Sequence, residues 1–386
     1  MRVWGVSPTT SAVQGLVRLL EREEWRSHPE GERIGRLLIP LLDSPDETER
    51  MLVTRALPHL ASDDEFWREL SRRLSYEQSA DVIDALLLAA ARRGSQDPTA
   101  LDECLDTAAS GPAVARLLGA DEDTSKPLNE RSSAVGDLLL QILVYLAFQH
   151  ATPFASGVFA TWMQEPLRRP ASLDRLITWT RPYLNPQQRT NVAAQERAFQ
   201  MLTNLVDASA LAIHSAEETL TRSGSLTSDE RLDLESAGRI ADCIARDLFH
   251  ASGAFRPTGP TAQTDKRAAS RGFCELAFPI MESLARMPSA AAAHYLVQIL
   301  TFLSPLEPRR AFLTVADIVT TNEARYEPMG ETAVLDMVDT YLAERRDLVL
   351  SDPTCLTALR RILDAFVDID SDRAIHRVQE LSEIFV

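Results

Sequence analysis

Apolar residues in this chain recur at steps of three and four almost throughout, and nowhere in a sustained alternation. That pattern restricts the fold to helices: a period of 3.6 gathers such residues on one helical face, whereas a strand needs a period of two. Ile34, Leu37, Leu38 and Leu41 form one stripe, and Leu52, Ala56, Leu57 and Leu60 form the next. Near the C-terminal end Leu356, Leu359, Ile362, Leu363 and Phe366 repeat it, followed by Ile375, Val378, Leu381 and Phe385. Aromatics are only 6% of the chain, and Leu and Ala, both strong helix formers, carry the apolar mass. The expected class is all-α, a solenoid-like stack of antiparallel helix pairs.

Start signals accompany the stripes. Ser44 with Glu47, Ser62 with Glu65, Thr227 with Glu230 and Ser304 with Glu307 have the spacing of a capping box. In that motif the hydroxyl accepts from a free first-turn amide while the carboxylate reaches back to the cap. Pro45 and Pro305 follow two of these caps at the position where proline suits a helix start. Arginine pairs (Arg72 and Arg73, Arg92 and Arg93, Arg168 and Arg169) fall where helices should end, beside the negative pole of the dipole.

The middle of the chain has a sharper pattern. Phe199, Leu202, Val206, Ser209, Ile213, Ala216 and Leu220 alternate steps of three and four, a heptad seam. After a turn near Gly224, Leu234, Ala237, Ala241, Ile244 and Leu248 keep the spacing. Two such helices joined by a short polar turn fold back as an antiparallel hairpin, expected over residues 187–252. Residues 120–129 and 251–268 read as loops. The expected division is an N-terminal helical stack (1–119), a central layer with the hairpin (127–252), and a C-terminal helical unit (269–386).

Residues 36–61, RLLIPLLDSPDETERMLVTRALPHLA, resemble a HEAT repeat: an apolar helix ending in Leu-Leu, a short Asp-Ser-Pro-Asp turn, then a second helix. Arg50 stands near the place where that family carries an Arg early in its second helix, while Glu49 replaces its preferred Val. The resemblance implies a binding scaffold built of stacked helix pairs. Residues 293–386, which include HYLVQILTFLSPLEPRRAFLTVADIV and LRRILDAFVDIDSDRAIHRVQELSEIF, resemble the helical C-terminal region of some large bacterial ATPase-like proteins. That likeness implies a helical module working beside an NTPase.

The formal net charge of −16 argues against a nucleic-acid partner and for a protein partner with a basic face. Lys126 and Lys266 are the only lysines; arginine dominance together with abundant alanine points to a GC-rich bacterial genome. Cys104, Cys243, Cys274 and Cys355 are too scattered for a zinc knuckle, and single thiols fit a reducing cytoplasm. The N-terminus does not read as a signal peptide. The most apolar run, residues 138–148, makes about 16 Å of helix, roughly half a bilayer core, and reads as a buried helix.

No phosphate-binding loop, dinucleotide fingerprint, nucleophile elbow or HExxH helix occurs, so no catalytic or cofactor-binding residue is assigned. Cys243, Asp247 and His250 lie along one helical stripe and offer a thiolate, a carboxylate and an imidazole to a metal. With a fourth ligand missing, the plainer reading is a buried Cys beside a solvated Asp–His pair. Asp368, Asp370 and Asp372 mimic the start of a calcium loop, but Arg373 replaces its glycine and Gln379 its final Glu. These aspartates instead suit the end of one helix and the cap of the next. The resulting expectation is a non-enzymatic, cofactor-free scaffold for protein–protein interaction in a bacterial cytosol; the alternative is a regulatory or structural module of a larger ATP-dependent complex.

Overall fold

The computed structural model describes residues 8–26, 28–60, 62–111, 114, 118, 136–185, 191–255, 271–321 and 328–381; among these every regular element is helical. Lys126, Lys266, Phe385 and the 120–129 segment lie outside the described residues, as does 256–268. The described helices fall into two compact units, one ending at Trp162 and one beginning at Met163.

The first unit contains α1 (Pro8–Leu20), α2 (Glu23–Arg26), α3 (Pro29–Leu38), a tight 3-10 turn over Ile39–Asp43, α4 (Glu47–Leu60), α5 (Asp63–Tyr76), α6 (Ala80–Gly94) and α7 (Pro98–Ala109). It closes with α8 (Asp137–Val144), a π-helical continuation over Tyr145–His150, and α9 (Pro153–Trp162). Helix α4 lies against α1 and α6, and α5 lies against α7. Their shared core buries Val53, Leu57, Phe66, Leu70, Leu74 and Leu86 completely.

Two expectations change here. The face of α3 that turns inward is Gly31, Gly35 and Leu38, so Leu37 points outward at 69% exposure. Backbone contact sets that face: a Cβ on Gly31 would lie 1.9 Å from the Trp25 carbonyl oxygen. The cap of α4 is Asp46, whose carboxylate accepts from the Thr48 amide at 2.8 Å. Ser44 instead accepts from the Asp46 amide and donates to Glu49.

The apolar run 138–148 is a core helix, as expected, with Leu140, Leu143 and Leu146 fully buried. At Ala151 (φ 53°) the chain breaks, and Asp137–His150 meets Pro153–Trp162 at 111°. No single helix among the described residues is long and apolar enough to cross a membrane; this bent pair reaches that measure only when both halves are counted together.

The second unit contains α10 (Pro170–Leu184), α11 (Val192–Ser223), α12 (Ser228–Ser252), α13 (Arg271–Leu284), α14 (Ala290–Leu303), α15 (Pro308–Thr321), α16 (Pro328–Glu344), α17 (Arg346–Ser351), α18 (Pro353–Val367) and α19 (Asp372–Glu380). Helices α11 and α12 form the expected hairpin. The seam residues Phe199, Leu202, Val206, Ser209, Ile213 and Ala216 are all buried, while Leu220 is 44% exposed near the tip. Gly224 ends α11 in the left-handed region (φ 71°), which a residue without Cβ enters at little cost.

Thr227 and Glu230 form the complete capping box, each side chain bonded to the other's backbone amide. The other boxes do not form. Ser62 precedes α5 without a side-chain cap bond, and Ser304 ends α14, its hydroxyl donating to the Thr301 carbonyl. Around the hairpin, α12 packs against α10 and α14, α11 against α13, and α15 against α18. Residues 251 and 252, expected in a loop, complete α12, and Gly253 (φ 84°) caps it.

Candidate functional site

The stripe of Cys243, Asp247 and His250 lies on α12, the central helix of the second unit. Asp247 is fully buried rather than solvated. Its carboxylate accepts from Arg181 on α10 and, at 3.0 Å, from Arg246. Arg246 also reaches Asp174 on α10 at 2.8 Å, and Arg239 reaches the same carboxylate at 3.3 Å. The result is a chain of alternating charges, Arg181–Asp247–Arg246–Asp174–Arg239, that ties α10 to α12 along their contact.

Cys243 is buried, its thiol in electrostatic reach of the Asp174 carboxylate. Burial raises the Asp174 carboxyl, but the thiol, Arg246 and Arg239 more than reverse this and hold it below the usual carboxylate range. Burial, and then the neighbouring Asp174 carboxylate, push the Cys243 thiol well above its ordinary value. That is the reverse of what a nucleophile or a thiolate ligand needs.

His250 stands apart from both, its ring beside Phe249 and Phe255 at centroid distances of 5.5 and 5.1 Å. Burial and then Arg181 lower its pKa, so it is neutral at physiological pH. Among the described residues no group of three His, Cys, Asp or Glu side chains is placed to hold a metal ion. Toward α14, α12 presents Asp242, raised by burial and bonded to Ser289, which caps α14 by accepting from the Ala292 amide.

Sequence reasoning found Cys243 and Asp247 and missed Asp174 and the three arginines. A signal was present. Asp174 and Arg181 are seven residues apart on α10, as Arg239 and Arg246 are on α12, so each pair lies on one helical stripe, Asp174 meeting the two α12 arginines and Arg181 meeting Asp247.

A second node lies in the first unit around Arg50, the position singled out by the HEAT-like segment. Its guanidinium donates to the Ser44 and Pro45 carbonyls at 2.9 and 3.2 Å and to both oxygens of Glu77 at 3.2 and 3.3 Å. Glu77 is 2% exposed, pairs also with Arg73, and accepts from the Gln78 and Ser79 amides. Burial raises its carboxyl; the Ser79 amide, Arg73 and Arg50 outweigh that and hold it low. Arg72 and Arg73 converge on Asp43, with Tyr76 donating to the same carboxylate, so this arginine pair bridges elements rather than merely closing a helix. Glu49, the departure from the family pattern, is 8% exposed and accepts from Ser44 at 2.7 Å.

A third buried acid, Asp102 on α7, accepts from the Thr152 hydroxyl at 2.7 Å and from the Phe154 and Ala155 amides at 2.8 and 3.0 Å. It thereby caps α9, whose first residue is a proline, from another helix. In the aspartate run, Asp368 ends α18 and Asp370 takes φ 60°; the cap of α19 is Ser371, not an aspartate.

In all three clusters the buried carboxylates are bonded within the fold, to arginines in the first two and to a hydroxyl and two amides at Asp102, and each cluster joins elements distant in sequence. Their chemistry is that of structural ties. No protein-family model matches this chain, and no curated protein matches it.

Proposed function

We propose that this chain is a non-enzymatic helical scaffold that binds a protein partner in a bacterial cytosol. The observation that supports it is the packing of alternate helices within each unit: α4 on α6 and α5 on α7 in the first, α11 on α13 and α12 on α14 in the second. Alternate-helix packing of this kind is what a solenoid of HEAT-like pairs requires, and such stacks offer an extended surface rather than a closed cavity. The net charge of −16 favours a partner with a basic face and an association that weakens with salt.

Affinity capture from bacterial lysate tests the reading. One stoichiometric partner is expected at low salt, with release as salt rises; no partner at any salt concentration overturns it. A second reading, a module of an ATP-dependent complex, rests on the likeness of residues 293–386. An NTPase as the captured partner would specify that case.

A further inference from the structure

Four arginines of this acidic chain gather around one cleft. It lies over α15, flanked by the end of α13 and the first half of α18, and has a volume of about 790 Å³. Arg309 and Arg310 stand at one end, Arg286 and Arg361 at the other. Arg309 pairs with Asp352 at 2.7 Å and Arg310 with Glu282 at 2.8 Å. Arg286 and Arg361 share Asp317, at 3.5 and 3.2 Å. Four guanidiniums and two carboxylates, Glu282 and Asp317, therefore line the cleft, with Asp352 bonded to Arg309 and Glu307 within electrostatic reach of Arg310.

The arginines are held but not used up. Arg286, Arg309 and Arg310 each engage their carboxylate through Nε, which leaves the donors of their terminal nitrogens for another acceptor. Side-chain exposures are 70% for Arg286, 52% for Arg309, 37% for Arg310 and 45% for Arg361. Arg310 also stacks on the Phe278 ring, 4.7 Å from its centroid, which fixes its plane. Between the two charged ends the floor is Leu313 and Ala358.

We infer that this cleft is a recognition groove for an acidic peptide segment of the partner, whose carboxylates pair with the arginines at its two ends. The spacing favours an extended segment over a single small anion. Arg309 and Asp317 stand about 12 Å apart along α15, the reach of roughly four extended residues. Glu282 and Asp317 line the groove with the arginines. A nucleic-acid backbone would bring phosphate against them at every step, whereas a peptide can place a carboxylate at each arginine and an apolar side chain on the floor. The acidic remainder of the chain repels anionic segments that miss the groove, which adds selectivity. The inference rests on the scaffold reading, and one partner can carry both a basic face and such a segment.

Selection from a random-peptide library on the full chain, followed by anisotropy with a labelled winner, tests it. Peptides rich in Asp and Glu are expected. Arg286→Gln combined with Arg361→Gln should weaken them about tenfold or more, with the helical spectrum and thermal midpoint unchanged. Asp317→Asn, which frees both arginines and removes a repelling carboxylate, should tighten them, an effect that structural damage does not produce. Failure to enrich any peptide overturns the groove, as does enrichment of non-acidic peptides or binding indifferent to these variants. The last two outcomes leave the scaffold reading standing. An oligothymidylate that outcompetes the peptides at the same arginines also overturns the inference.

Discussion

Glu77 collects two guanidiniums and two backbone amides at 2% exposure, and its partners Arg73 and Arg50 are themselves 8% and 13% exposed at the side chain. Removing its charge leaves Arg73 with Asp43 alone and Arg50 with only the Ser44 and Pro45 carbonyls, in a poorly solvated place. Glu77→Gln should therefore destabilise the first unit by about 3 kcal/mol, read as a shift in the urea midpoint with unchanged slope. The pH dependence has a definite sign. Glu77 and Asp43 are both held below the ordinary range in the folded chain, so their contribution is whole above about pH 4.3 and is lost as acid protonates them. Stability of the native chain should fall through that window, and the Glu77→Gln variant should fall less steeply over the same range.

At the scale of elements, the hairpin was the most legible part of the chain, since a heptad seam interrupted by a glycine has few other solutions. Gly224→Ala forces a Cβ into the left-handed region and should cost about 1 kcal/mol, with nothing within 4 Å to clash with it. Ser209 is fully buried with its hydroxyl on the Leu205 carbonyl. Ser209→Leu overfills the seam and should cost about 1–3 kcal/mol, whereas Ser209→Ala should be nearly neutral; thermal unfolding separates the two. Where sequence reasoning failed, the cause was tertiary. Leu37 lost its place in the core to a glycine face that only the approach of Trp25 explains. Ser44 and Ser304 have the spacing of caps, but one serves Glu49 and the other a helix end. The Arg–Asp ladder of α10 and α12 needs two helices side by side before its charges match: the seven-residue spacing puts the charges of each helix on one stripe but does not name the stripe they face.

At the scale of the whole molecule, the thiols report on both units. Cys104 lies in the first and Cys243, Cys274 and Cys355 in the second, all buried. Burial pushes Cys104 up to about 12 and Cys274 up to about 11, and raises the other two as well. The native chain should react negligibly with a thiol-specific disulfide reagent at pH 8, and all four should react in denaturant. Fast labelling confined to Cys104 during partial denaturation would mark opening of the first unit alone. Fast labelling of the native chain would contradict the buried placement.

The tip of the hairpin has a consequence for how the chain reaches this structure. Thr219 donates to Glu230 only eleven residues later, while Glu230 closes the capping box with Thr227. Contacts this short in sequence incur little loop-closure entropy and can form before the long-range ones that join α12 to α10 and α14. The hairpin is therefore expected to form first, with its neighbours condensing on it. Thr227→Ala should slow refolding by nearly the whole of its equilibrium cost, about 1 kcal/mol, and leave the unfolding rate almost unchanged.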